Sequence, residues 1–305
     1  MAKILCICLS STIQRTVNFK EFKLTEVNRS TSYRMDASGK ALNSARVLSQ
    51  LDKNCVTAFC PVGEKNKELF LELAERDNLN INYVVIPGFT RECWTLLDNQ
   101  LATTTELVVG EPDMDFDVAS CEQNIIESIK MKLPETDAVL FAGSKPSYFT
   151  DNLVPEIAKL SLDSDKIFLA DYHGKELLNT LKICTPSIIK INEIEFAQTF
   201  EPKAFSNGKV NEEILKTALK EKSRKLDNII IVTRGADSTY AAEKGKFIEC
   251  EVEKVKPVNT TACGDSFSAG FIYEYMNTKD FNAGIKKGTW CASRNAELET
   301  PGAIR

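Results

Sequence analysis

Histidine is almost missing from this chain: His173 is the only one in 305 residues. Its rarity argues against the usual Ser-His-Asp and Cys-His nucleophilic centres, for which only His173 could serve, and excludes any His-rich metal site. Long apolar runs are also missing, none approaching the roughly 18–20 residues that a membrane-spanning helix needs. The opening residues, Met1 to Leu9, lack the length and small-residue cleavage site of an export signal, so the expected location is cytoplasmic. Ten cysteines are scattered without such a signal, which points to reduced thiols rather than a disulfide framework. Cys6 and Cys8 alternate along one face of a short apolar run, with no second pair or nearby histidine to complete a zinc site. Neither GxxxxGK[ST], GxGxxG nor a protein-kinase catalytic loop occurs, so if the protein handles phosphate it does so by another device. Chemistry is left to carboxylates, lysines, arginines and backbone dipoles.

What is present fits a folded globular protein: 43% hydrophobic and 27% charged residues, with 38 Lys and Arg against 43 Asp and Glu for a net charge of −5. The charge is uneven. Residues 1–46 carry eight basic side chains against three acidic ones, +5, while the remainder is −10. That asymmetry suggests an anionic ligand near the N-terminal part, although Lys20 and Lys23 also suit a blunted strand edge. An acidic chain without long Lys/Arg blocks is a poor match to nucleic acid.

Apolar β-rich runs alternate with helical patterns: KILCICL, a helix over 40–51, CVTAFC, a helix near 66–77, NYVVI, and later AVLFAG, KIFLAD, SIIKIN and NIIIVTRG. This βαβα order predicts an α/β fold, a doubly wound, mostly parallel sheet in one unit over residues 1–305. Ligands of such sheets bind beyond the carboxyl ends of the strands. Residues 15–35 and 94–109 break the rhythm with β-branched and aromatic residues, and the second has a polar turn at Asp98-Asn99-Gln100. They read as extra antiparallel strands, a small projecting lid sheet drawn from about 12–35 and 90–110.

The stretch Val258–Tyr275, VNTTACGDSFSAGFIYEY, carries the most chemistry. Small residues from Asn259 to Gly264 precede Phe267, Phe271 and Ile272 at helical spacing, a loop feeding a helix N-terminus. Free amides there receive an anion, and Asp265 in the same turn is either a helix cap or a base that takes the proton of an attacking alcohol.

TTACGDSFSAGF resembles the C-terminal signature of the ribokinase-like, phosphofructokinase B family of carbohydrate kinases, DTxGAGDxF. DASGKALNSARV at 36–47 is similar to that family's GGKGxNxAR, and Lys190-Ile-Asn192-Glu-Ile-Glu195 to its KPNxxE. Weaker matches lie at Ala142-Gly-Ser-Lys-Pro, Asp171 with Gly174, Thr233-Arg-Gly235 and Thr300-Pro-Gly302, all in family order. IQRTVNF, LTEVNR and GKALNSARVL, with Thr90-Arg91 and Thr105-Glu106, look like the 1-phosphofructokinase and tagatose-6-phosphate kinase branch.

The resemblance implies a ribokinase-like fold and ATP-dependent, Mg2+-requiring transfer to a sugar phosphate, with fructose 1-phosphate foremost. It implies Asp265 as base, with the amides around Ala262, Cys263 and Gly264 as anion hole. Gln14, Arg29, Gly39, Lys40, Asn43 and Arg91 would meet the sugar phosphate, with Asn43 on sugar hydroxyls and Arg29, Lys40 and Arg91 on phosphate. Lys190, Asn192, Glu195, Thr233, Gly235 and Gly264 would meet the nucleotide, with Asn192 and Glu195 supporting the metal through water. A homodimer joined through the lid is also implied. Tagatose 6-phosphate, an unphosphorylated sugar or nucleoside, and a non-catalytic sensor are the alternatives.

Departures fall mainly on sugar recognition. Gln14 stands where the branch has an Asp, Cys93 where an Asn is usual, and Ser38, Ala41 and Ala262 replace glycines. An amide at Gln14 offers two donors and one acceptor where a carboxylate only accepts.

Overall fold

A computed structural model describes every residue except 31, 112–115 and 207. The chain begins with β1 (Ile4–Ile7), β2 (Thr12–Phe19), β3 (Ser32–Ser38), α1 (Lys40–Leu51), β4 (Val56–Gly63), α2 (Lys67–Arg76) and β5 (Ile81–Ile86). It continues through β6 (Arg91–Asp98), β7 (Thr103–Val108), α3 (Val118–Lys132), β8 (Ala138–Ala142), α4 (Leu153–Asp163), β9 (Ile167–Asp171), α5 (Gly174–Leu181), β10 (Ile188–Asn192) and α6 (Glu193–Phe200). The last part holds the short hairpin β11 (Phe205–Ser206) and β12 (Lys209–Val210), then α7 (Glu212–Leu226), β13 (Ile229–Thr233), β14 (Thr239–Glu243), β15 (Lys246–Cys250), α8 (Cys263–Thr278) and α9 (Phe281–Ala296).

Nine strands form the main sheet in the order β15-β14-β13-β10-β9-β8-β1-β4-β5, parallel from β13 to β5. Helices cover both faces, which is why β1, β8 and β10 read as nearly unbroken apolar runs. Alternation splits each strand between two cores: Ile4, Cys6 and Cys8 pack with Leu42, Phe267 and Phe271, while Leu5, Ile7 and Leu9 pack with Ile125, Ile157 and Phe196. The sheet winds outward in both directions from β1 and β8, so the crevice at their carboxyl ends is the topological switch point.

Two strands at the sheet edge, β14 and β15, escape the sequence reading. They form an antiparallel hairpin whose turn uses Lys244 and Gly245 at positive φ. The lid is the second sheet, in the order β3-β2-β6-β7, and residue 31 of its expected span lies outside the described residues. Its expected all-antiparallel pairing is corrected at one place: β2 runs parallel to β6. The reason is chain direction. β2 follows the end of β1 and β6 follows the end of β5, both leave the same edge of a parallel sheet, and only the returning strands β3 and β7 are antiparallel to them.

Charged groups buried under β3 tie the lid to the body. Asp36 accepts from Arg34 at 2.6 Å and Arg76 at 2.8 Å. Buried Arg46 reaches Asp77 at 3.1 Å, the Ala37 carbonyl at 2.7 Å, Asn43 Oδ1 at 3.2 Å and the Pro301 carbonyl at 3.2 Å. Burial pushes the Asp77 carboxyl up, but Arg76, Arg46 and Arg34 together hold it below its ordinary range. Its contribution is therefore present above the unfolded carboxylate pKa and is lost as the pH falls through the lower folded value. Arg46→Met should cost about 2–4 kcal/mol, because it leaves the buried carbonyls of Ala37 and Pro301 without this donor and takes one of three guanidiniums from Asp77. Urea denaturation at pH 7 reads this directly, and a loss under 1 kcal/mol would show that the network is not structural.

Candidate active site

Lid and switch point enclose a cavity of about 760 Å³. Its floor is the N-terminus of α8. Asp265 is buried in the first turn, and Asn43 of α1 donates to its Oδ2 at 2.9 Å. Ser44, one residue on, donates to the Asp265 carbonyl at 2.9 Å, so α1 grips both ends of this residue. Burial raises the Asp265 carboxyl from its ordinary 3.8 to about 6, and Asp171 adds to the rise while Lys40, Asn43 and Lys190 oppose it. A carboxylate with that pKa is ionised at neutral pH yet basic enough to take a proton in a transition state.

No side chain caps α8, and the Cys263 amide turns back to the Thr260 carbonyl at 3.3 Å. The amides of Gly264 and Asp265 are the next two of the helix, without an intrahelical acceptor, and with the helix dipole they form an anion site beside the carboxylate. Two small residues have different reasons for their size. Ala262 sits at φ 66, ψ 10, the left-handed region, where a methyl group costs about 1 kcal/mol relative to the glycine the signature carries. A Cβ on Gly264 would stand 2.8 Å from Lys190 Nζ, so its bareness admits that ammonium beneath the helix start. Lys190 is buried, 3.0 Å from Asp171 Oδ2, an atom that also accepts from Ser268 at 2.6 Å. Burial pushes the Cys263 thiol up, which makes it a poor nucleophile.

The walls come from other strand ends. Asn192 and Glu195 cap α6 reciprocally at 2.8 and 2.9 Å, and both line the cavity with Thr233. His173 Nε2 lies 3.5 Å from the other Glu195 oxygen. Among the described residues no three His, Cys, Asp or Glu side chains converge on one point. The oxygens of the capping box are those of one amide and one carboxylate, too few for a protein cage around a divalent ion, which would need water and phosphate oxygens to complete its shell. Lys40 begins α1 inside the cavity. Burial works against its charge, but Asp171, Asp265, Glu195 and Glu106 outweigh it and keep its pKa raised. Gly39 precedes it at φ 131, with no room for a Cβ against Cys8 Sγ and the Ser10 carbonyl.

Of the residues expected from sequence, Gln14, Gly39, Lys40, Asn43, Arg91, Lys190, Asn192, Glu195, Thr233, Ala262, Cys263, Gly264 and Asp265 all line this one cavity. Arg29 and Gly235 do not: Arg29 is exposed in the segment between β2 and β3, and Gly235 lies past the end of β13. Asn43, expected on sugar hydroxyls, lines the cavity and is also tied to protein groups. Its carbonyl accepts from Ser38 and Arg46 and its amide donates to Asp265. Gln14 donates to Thr95 Oγ1 at 2.8 Å, so one of its two donors is committed within the lid. Sequence reasoning missed the Lys190–Asp171 pair, and it missed Glu106, whose carboxylate accepts from Thr261 at 2.7 Å and links β7 to the anion loop. The weak Asp171/Gly174 match was the one signal for the former and the Thr105-Glu106 match the one signal for the latter, neither with a role attached.

With this geometry in place, comparison with known proteins is decisive. The model of the pfkB family of carbohydrate kinases matches residues 1–303. The chain belongs to that family. It is a carbohydrate kinase, a phosphotransferase, and kinases of this family use ATP. Tagatose-6-phosphate kinase from Staphylococcus epidermidis is 26% identical over 303 residues, covering 99% of this chain and 94% of the relative. Escherichia coli phosphofructokinase-2, solved with fructose-6-phosphate, has TM-score 0.82 at 15% identity, covering 97% of this chain and 94% of that one. The possible 1-phosphofructokinase of Thermotoga maritima has TM-score 0.85 at 17% identity, covering 98% and 93%. At such identities the solved structures establish the shared ribokinase-like fold.

The raised Asp265 pKa carries a sign for stability. A carboxyl whose folded pKa exceeds its unfolded value favours folding below the unfolded value of 3.8, and that contribution is lost as the pH rises through about 6. At pH 7 the ionised group therefore burdens the fold by up to about 3 kcal/mol, from roughly 1.4 kcal/mol per pKa unit. Asp265→Asn should melt several degrees above the parent at pH 7, with the gap closing near pH 4. A variant less stable than the parent at pH 7 would mean that the carboxylate is held by its partners and not strained by burial.

Proposed function

We propose that this kinase transfers the terminal phosphoryl group of ATP to a hydroxyl of a sugar phosphate, fructose 1-phosphate foremost and tagatose 6-phosphate next. The observation that carries the reading is Asp265, a buried carboxylate of raised pKa beside the unpaired amides of Gly264 and Asp265 on the floor of one cavity. The similarity to a tagatose-6-phosphate kinase along 99% of the chain supports the branch.

In this mechanism Asp265 accepts the proton of the attacking hydroxyl, with Asn43 fixing the oxygen that does not receive it. The amides of Gly264 and Asp265 meet the negative charge on the transferring group, and Lys190 adds its charge from below. Lys40 offsets the charge of Asp171, Asp265, Glu195 and Glu106 where the phosphates arrive. A Mg2+ ion at Asn192 and Glu195 would supply neutralisation of the nucleotide phosphates. Thr233 lines the cavity in register with Asn192, and on this reading it meets the nucleotide. Gln14, held by Thr95, keeps its carbonyl for a sugar hydroxyl, and Arg91 meets the phosphate of the sugar.

A second reading is favoured by a specific observation. Arg29 stays outside the cavity, and the Arg91 charge is partly met by Glu111, 3.3 Å away. An unphosphorylated sugar would need no more cationic groups than that.

Coupled ADP release over a panel of sugar phosphates, free sugars and nucleosides tests the assignment. Fructose 1-phosphate or tagatose 6-phosphate should give the highest kcat/KM, falling about tenfold per pH unit below about pH 6 as Asp265 is protonated. Asp265→Asn should lower kcat by about 10²–10⁴ with the fold intact. Turnover confined to free sugars would overturn the branch, and binding of ATP with no turnover on any member would favour a sensor.

We also infer a homodimer through the lid. Tyr33, Trp94 and Leu107 are 62%, 37% and 49% exposed, and Trp94 pairs with Leu107 across adjacent strands. Tyr33 lies in the neighbouring register row, Arg15 flanks Trp94 on β2, and Trp94 and Leu107 also reach the cavity lining, so an exposed apolar patch of this kind beside the site suits burial against a second copy. Sedimentation at micromolar concentration should give about twice the chain mass, shifted toward monomer by Trp94→Glu; a monomer for the parent would refute the inference.

A further inference from the structure

Glu111 lies just past the lid and figures in none of the signatures above. One of its carboxylate oxygens accepts from Ser10 Oγ at 2.6 Å and stands 3.3 Å from Arg91 Nε. The same Nε donates to Thr12 Oγ1 at 3.0 Å. The two charged side chains are 19% and 14% exposed, so water screens them only partly. Only the Nε edge of the guanidinium is engaged. Its outer edge has no protein partner among the described residues, and Arg91 lines the cavity. That outer edge is the fork able to take a phosphate by two parallel hydrogen bonds.

Two effects follow from one carboxylate. It orients the fork, and it cancels much of the charge that the fork would offer to a dianion. We propose that Glu111 is a specificity-determining residue that sets how strongly the acceptor subsite prefers a phosphorylated over an unphosphorylated sugar. The carboxylate competes with substrate phosphate for the same guanidinium, so the preference is weaker than a free arginine would give. Ser10 holds the carboxylate in that role from the end of β1, and Thr12 shares the arginine from the start of β2. This inference rests on the kinase reading above and concerns its acceptor alone.

Glu111→Gln keeps an oxygen for Ser10 and Arg91 and removes only the charge. The ratio of kcat/KM for fructose 1-phosphate to that for fructose should rise about tenfold in this variant. Inorganic phosphate, titrated by calorimetry into the same proteins, should bind about tenfold more tightly. Neither gain should survive when Arg91→Met is added, which separates this subsite from the anion site at α8. A ratio and a phosphate affinity within twofold of the parent would overturn the proposal, as would a gain that persists without Arg91. If no sugar is turned over the kinase reading fails, and phosphate binding by the parent, Glu111→Gln and double variants still decides the role of Glu111.

Discussion

Burial of one carboxylate governs the design of this site. Among the described residues no lysine or arginine hydrogen-bonds Asp265, and its one side-chain hydrogen bond there comes from the amide of Asn43. Desolvation therefore dominates, and the pKa settles near 6 rather than in the range of an ion-paired acid. Had Lys190 paired with Asp265, the carboxylate would be a weaker base. Instead Lys190 is held by Asp171 and Ser268 below the helix, close enough to lend charge to an anion and bonded to a different acid. Gly264 makes that placement possible by having no side chain.

The same residue couples the halves of the cavity. Asn43 bonds Asp265 through its amide nitrogen, while its carbonyl is held by Ser38 at the end of β3 and by Arg46. Arg46 in turn binds Asp77 and the carbonyls of Ala37 and Pro301. A chain of buried hydrogen bonds thus runs from the base of the lid to the candidate base of the reaction. At the mouth, Glu106 and Thr261 join the lid's outer strand to the anion loop. The lid is fixed to the site at the end of β3 and along its edge strand β7.

Charge balance across the cavity has a logic of its own. Lys40, Arg91 and Lys190 face Glu106, Asp171, Glu195 and Asp265, three positive groups against four negative ones. Such a lining does not attract a polyanion by net charge. On the proposed function the phosphates would arrive with a cation, and discrimination would fall to local pairs such as Arg91 with Glu111.

Much of this was legible in the chain itself. Period-two and period-3.6 patterns gave α1 its bounds at residues 40 and 51 and located seven parallel strands, because a sheet buried on both faces must be written in unbroken apolar runs. Thirteen of the fifteen residues named in advance line one cavity, since loops at the carboxyl ends of parallel strands converge. The edge hairpin β14–β15 went unread because its turn, Lys244-Gly245, lies among charged residues. Chain direction in space, which no local pattern encodes, made β2 and β6 parallel. Asn43 against Asp265, 222 positions apart, and Glu111 against Arg91 depend on which strand ends come together in space. Sequence determined which side chains could act; the packing of α1 against α8 and of the lid over β1 decided which charges meet, and through burial, how basic Asp265 is.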